Sequence, residues 1–115
     1  MKLGTLEKFS KIILSIESQT YEQNKQFEIY KCKVVLQDGS NLRILEWYHA
    51  NQLVYYSYYW LTPLNELLIG WDCAPHHKDI ETFPHHKHIG NQKNVSPSFE
   101  RNLETVLFVI QKALA

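Results

Sequence analysis

The chain has little of what would place it in several common classes. It has two cysteines, Cys32 and Cys73, far apart and in no Cys-x-x-Cys pair. That excludes a disulfide-stapled scaffold and a thioredoxin-type motif, and leaves two reduced, half-buried thiols. The N-terminal region has no long apolar run, since Ile12-Ile13-Leu14 is too short for a signal or a membrane span. The chain therefore reads as cytoplasmic, with no membrane partner. Net charge is absent too. Twelve basic residues balance twelve acidic ones, so no global field draws in nucleic acid. No repeat, low-complexity tract or linker interrupts the 115 residues, which fits one domain spanning 1–115. The 44% hydrophobic content suffices for a core.

What the chain does have is histidine, concentrated in one run. Between Trp71 and Gly90, WDCAPHHKDIETFPHHKHIG, stand His76, His77, His85, His86 and His88, five of the six. Pro75 and Pro84 each precede a His-His pair. Imidazole titrates near neutral pH, binds transition metals and transfers protons. Lys78, Lys87, Lys93 and Arg101 accompany the histidines, against Asp79, Glu81 and Glu100. Protonation would make the run cationic and suited to an anion.

The remainder reads as scaffold. Thr5 to Ile13 has a cap and helical spacing, although Ile12 to Ile16 equally suits the start of a strand. From Phe27 the period becomes two. Phe27–Gln37, Asn41–His49, Gln52–Leu61 and Glu66–Asp72 are strands, separated by Asp38-Gly39, Ala50-Asn51 and a turn at Thr62 to Asn65. Ser96-Pro97-Ser98 signals a helix start, and Leu103, Val106, Leu107, Ile110 and Leu114 mark one helical face. The expected fold is α+β: a four- to five-stranded antiparallel meander, a C-terminal helix packed on one face and a short N-terminal helix.

Two-residue loops at Asp38-Gly39 and Ala50-Asn51, and a four-residue loop at Thr62, set Lys31 opposite Glu46, Glu46 opposite Tyr55 and Tyr55 opposite Asp72. One face then holds Tyr30, Cys32, Val34, Leu36, Leu45, Trp47, Val54, Tyr56, Trp60, Leu67, Ile69 and Trp71, with Arg43 and Tyr58 as its polar exceptions. The mixed face carries the row Lys31, Glu46, Tyr55 and Asp72, running towards the histidines.

Three chemistries fit that row. His86 and His88 point the same way on an extended segment, and with Asp72 and His76 or His77 they make a candidate zinc site, although no established zinc spacing is matched. Metal-free cleavage of RNA needs a base for the 2′-hydroxyl, an acid for the 5′-oxygen and a cation for the phosphate. His77, His86, His88, Lys87 and Tyr55 are residue types that supply these. Glu46 or Asp72 would orient a histidine, unless Glu46 simply pairs with Lys31. The run Tyr55-Tyr56-Ser57-Tyr58-Tyr59-Trp60 is better explained by strand packing than by base stacking.

The segments DGSNLRILEW, YSYYW and WDCAPHHKDIETFPHHKH resemble the TumE family, toxin components of prokaryotic toxin–antitoxin pairs, over roughly Leu36 to Leu107. The recurring family positions fall on Glu46, Trp71, Asp72, His76, His77, His85 and His86, with His88 at the end. Two positions depart: Tyr59 stands where the family usually has histidine, and Gly70-Trp71-Asp72-Cys73 where it usually has Arg-Trp-Asp-Asn. The resemblance implies a cytosolic toxin with a cognate antitoxin protein. The expectation is RNA cleavage by metal-independent acid–base chemistry, using His76, His77, His86, His88, Asp72, Glu46 and Tyr55, with Lys31, Lys87 and Arg43 on substrate. No cofactor is expected, zinc being the one metal considered. The alternative is a non-catalytic module that binds a metal or an acidic partner. A homodimer would account for four tyrosines and a tryptophan on one strand. Adjacent residues of an extended chain point oppositely, so one histidine of each pair should reach Asp72 or Glu46: His86 rather than His85, and either His76 or His77.

Overall fold

A computed structural model describes residues 3–115. Its elements are α1 (Leu3–Glu7), β1 (Ile13–Gln23), β2 (Glu28–Leu36), β3 (Asn41–His49), β4 (Gln52–Leu61), β5 (Leu67–Asp72), β6 (His86–Ile89), β7 (Val95–Pro97) and α2 (Leu103–Leu114). The strands form one antiparallel sheet in chain order, β1 to β7. The expected α+β meander with a helix at each end is present, but it has seven strands among the described residues. The additional strands have a physical cause. The segment Ile13–Gln23 is polar and exposed along almost its whole length, so it carries no alternating pattern to reveal it. Strands β6 and β7 are short and lie in histidine- and proline-containing sequence. Ser96-Pro97 belongs to β7, and the C-terminal helix starts later. Its N-cap is Asn102, whose side chain accepts from Thr105 N–H in a reciprocal capping box.

One sheet face is covered. Leu103, Val106, Leu107 and Ile110 of α2, with Leu6 and Phe9, join Val34, Leu36, Leu42, Ile44, Tyr56, Tyr58, Trp60 and Trp71 in the core. Tyr56, Tyr58 and Trp60 are buried inside one chain, while Tyr55 and Tyr59 on the other face are half-buried.

The register differs from expectation in each of the three hairpins, and the differences decide which carboxylate faces which way. Leu36 N–H donates to Ser40 carbonyl at 2.8 Å, so the β2–β3 loop is three residues, with Gly39 at φ 89° as its left-handed last member. Tyr30, not Lys31, therefore lies opposite Glu46. Ala50 and Asn51, at φ 48° and 64°, do form the expected two-residue turn, but a bulge between Trp47 and Tyr48 adds a second one-residue offset. Glu46 thus faces Tyr56, not Tyr55. The two offsets cancel in parity, so only β3 is inverted. Leu42, Ile44 and Glu46 turn into the core, while Arg43, Leu45 and Trp47 face the open side. A three-residue loop, closed by Thr62 N–H donating to Glu66 carbonyl at 2.8 Å, and a one-residue bulge between Trp60 and Leu61 together set Asp72 opposite Ser57 rather than Tyr55, and Asp72 stays on the open face.

Truncating Leu107, fully buried in α2, should cost about 2–5 kcal/mol of unfolding free energy. Urea denaturation of Leu107→Ala checks this. A loss below about 1 kcal/mol would show that α2 is not a load on the core.

A buried Asp72 centre between strands five and six

Strand pairing builds the site. Asp72 lies opposite His86, and Gly70 opposite His88, so both imidazoles emerge on the open face beside one carboxylate. His86 Nε2 is 2.9 Å from Asp72 Oδ1, and His88 Nε2 is 3.5 Å from Oδ2. All three side chains are buried. Ala74 N–H donates to Oδ1 at 3.0 Å and Tyr59 O–H to Oδ2 at 3.0 Å. Four partners on one buried carboxylate offset its desolvation. Gly70 permits the Tyr59 contact, because a Cβ there would collide with the Tyr59 ring. Burial, followed by the Asp72 charge and its hydrogen bond, pushes the Tyr59 phenol up to about 12, which keeps it a donor.

The outer nitrogens fix the tautomers. His86 Nδ1 lies 3.0 Å from Pro84 carbonyl, and His88 Nδ1 2.9 Å from Gln92 carbonyl. A carbonyl only accepts, so each Nδ1 carries hydrogen. Each Nε2 then faces a carboxylate oxygen and needs a positive partner between them. That partner is either a proton or a metal ion. Tying Nδ1–H to a carbonyl is the outer-shell arrangement of metal-binding histidines. Asp72, His86 and His88, with ligand atoms within 4.8 Å of one another, are a group able to hold a metal ion.

His77 covers this group from outside. Its φ of 59° turns it out of line with His76. Its ring centroid is 5.0 Å from His86 and 6.0 Å from His88. It is exposed, whereas His86 and His88 are buried. His76 is exposed, its ring centroid 6.4 Å from that of His77. His85 is on the covered face, stacked on Tyr56 with Nδ1 2.9 Å from its hydroxyl. The structure thus gathers His77, His86 and His88 at Asp72, and separates His76 and His85 from them.

The other expected site residues scatter. Glu46 is buried on the covered face, across the sheet from the Asp72 centre, accepting from Tyr58 O–H at 2.6 Å. Burial, then the Glu46 charge, holds Cys32 at about 11, an unreactive thiol. Both cysteines are free. Lys87 lies on the covered side, its Nζ 3.0 Å from Glu100, which also accepts from Trp71 Nε1–H at 3.1 Å. Tyr55, Lys31 and Arg43 are on the open face, Tyr55 packed edge-on to Trp47. Burial raises the Tyr55 phenol, and the Asp72 charge adds to this.

The family model described as toxin TumE matches residues 2–114. The chain belongs to the TumE toxin family. No curated protein and no solved structure matches it. The TumE-type positions recognised in the sequence divide between the two sheet faces: Asp72, His77 and His86 at the centre, and Glu46, Trp71 and His85 in or beside the core. Tyr59 is the centre residue that sequence reasoning passed over. Its only signal was position, since it stands where family members carry histidine. No helix among the described residues is long and apolar enough to cross a membrane.

Burial, then the Arg101 charge, then His86 hold His85 below the ordinary imidazole range. Between its folded pKa and the unfolded value of 6.5, the unfolded chain binds the extra proton. Stability is therefore unaffected by His85 well above 6.5, falls as pH drops through that value, and levels off below the folded pKa. His85→Gln should flatten this decline. Denaturation midpoints at about pH 7.5 and about pH 5.5 measure it, and equal declines in both proteins would uncouple His85 from acid stability.

Proposed function

We propose that this TumE-family toxin acts on RNA, cleaving it by histidine acid–base chemistry at the Asp72 centre without a bound metal. One observation carries the reading: an exposed imidazole, His77, sits over two buried imidazoles that share one carboxylate, on the sheet face that also presents Lys31 and Arg43. Without metal, the buried His86 and His88 rings and the carboxylate they share form the polar floor beneath a bound phosphodiester. His77 takes the proton from the 2′-hydroxyl as the 2′-oxygen bonds to phosphorus. As the P–O5′ bond breaks, His77 returns that proton to the departing 5′-oxygen. The polar group beneath stabilises the charge that develops on the equatorial oxygens. The products are a 2′,3′-cyclic phosphate and a 5′-hydroxyl. Tyr59 and Asp72 orient the pair. Tyr55 borders the site, and His76 is a neighbour of the shuttle. Membership of a toxin family implies a cognate antitoxin protein as partner.

A second reading is favoured by the Nδ1–carbonyl tethers. In it, Asp72, His86 and His88 hold a zinc-like divalent ion, and the chain is a binding module or a metal-dependent enzyme.

Expression should arrest growth, and His77→Ala or His86→Ala should restore it. Purified protein should cut RNA with the termini named above, and His77→Ala should lower the rate about 10²–10⁴-fold. Healthy cultures producing soluble wild-type protein would remove the toxin role for this chain. Cleavage abolished by EDTA and restored by zinc would keep the site and replace the metal-free mechanism by the second reading.

A further inference from the structure

The open sheet face has relief as well as charge. One unbroken row of paired residues crosses it: His86, Asp72, Ser57, Leu45, Lys31 and Thr20, from β6 to β1. Its middle members are small or aliphatic. The rows on either side are taller. Trp47 and Tyr55 flank it on one side, their ring centroids 6.0 Å apart. Arg43 and Tyr59 flank it on the other. Low floor and high walls make a trough. Its far part is a groove of about 340 Å³, lined by Lys31, Arg43, Leu45 and Ser57 among others. Its near end is the Asp72 centre. Lys31 and Asp72 are three strand spacings apart, about 14 Å.

The cations of this trough are not neutralised within the fold. Arg43 is steadied by amide oxygens, Nε to Asn41 Oδ1 at 3.2 Å and Nη2 to Asn65 Oδ1 at 3.5 Å, which leave its charge intact. Among the described residues, neither Arg43 nor Lys31 has a carboxylate within ion-pair distance, whereas Lys33 beside them is paired with Glu17 at 3.0 Å. Two uncompensated cations next to an aromatic wall complement an anionic chain with unpaired flat bases. A double helix keeps its bases stacked inside and has nothing to offer that wall.

We propose that the trough is a binding site for single-stranded RNA, which seats phosphates on Lys31 and Arg43, lays a base against Trp47 and Tyr55, and leads the chain across the strands to the Asp72 centre. This rests on the RNA-directed reading above and adds the form of the substrate and its path. Because Lys31 and Arg43 lie well away from His77, they bind without taking part in proton transfer.

The test uses the full chain carrying His77→Ala and a fluorescein-labelled 2′-O-methyl oligouridine of about 12 nucleotides, which has no free 2′-hydroxyl. Anisotropy titrations over a range of salt give affinity and its salt slope. Adding Lys31→Glu and Arg43→Glu should weaken binding at least about tenfold and reduce the slope by about 1.4, two single-strand phosphate contacts. Lys31→Gln with Arg43→Gln, retaining bulk, should give a smaller loss in the same direction. Lys112→Glu, on α2 beyond the covered face, should leave binding unchanged. In the active background the double variants should raise KM and spare kcat. Unchanged affinity in folded double variants would overturn the trough, even if wild-type protein cuts RNA. Equal binding of a duplex of the same length would overturn the single-strand assignment. Binding that depends on Lys31 and Arg43 in a protein that cuts nothing would uphold the trough and sink the cleavage reading.

Discussion

The Asp72 carboxylate is the constraint on which the rest of the site depends. A buried carboxylate is costly unless its oxygens are met by donors or cations. Here four groups meet them, from three different parts of the chain: Tyr59 on β4, the Ala74 amide just past β5, and His86 and His88 on β6. The short strand β6 has few apolar residues to recommend it as a strand. Its backbone pairs with β5, and its two inward imidazoles terminate on Asp72, so the same residues that make the candidate chemistry also hold this part of the sheet together. Lys87 between them turns to the other side and is fixed to Glu100. Alternation along four residues thus separates an electrostatic centre on one face from an ion pair beside the core on the other.

How much of this was legible in the sequence depends on parity. The strands β2 to β5 and α2 were readable because alternation and helical spacing survive in their sequences. So was the choice of His86 and His88 over His85, since two residues apart on a strand means the same face. Glu46 was not readable. Its side depends on one residue more or less in the Asp38-Gly39 loop, and a three-residue loop ending in left-handed Gly39 uses the same dipeptide as a two-residue one. A later bulge corrected the parity of β4, so the tyrosine strand came out right although the step leading to it was wrong. His77 over His76 was also undetermined, because it rests on a left-handed backbone at His77 that no local residue type announces.

The two acidic residues show how burial alone fails to identify a functional carboxylate. Glu46 and Asp72 are comparably buried, at 2% and 7% exposure. Glu46 is met by the hydroxyl of Tyr58, and the phenols of Tyr48 and Tyr58 are pushed up by burial first and by its charge second. Groups that stay protonated throughout the neutral range can orient and satisfy a carboxylate, but they cannot exchange protons with it there. Asp72 is met by imidazoles, which can. The difference lies in the company each carboxylate keeps.

The two departures from the TumE pattern are coupled by the structure. Tyr59 and Gly70 are cross-strand partners on the open face. The Tyr59 ring lies across the place where a residue-70 side chain would begin, and from there its hydroxyl reaches Asp72. An arginine at position 70 would need that space. With glycine at 70, a tyrosine at 59 fills the gap over bare backbone and restores a hydrogen bond to the carboxylate. Read separately, the missing arginine and the missing histidine look like two losses from the site. Read as a pair, they place a donor from β4 on Asp72 over bare backbone.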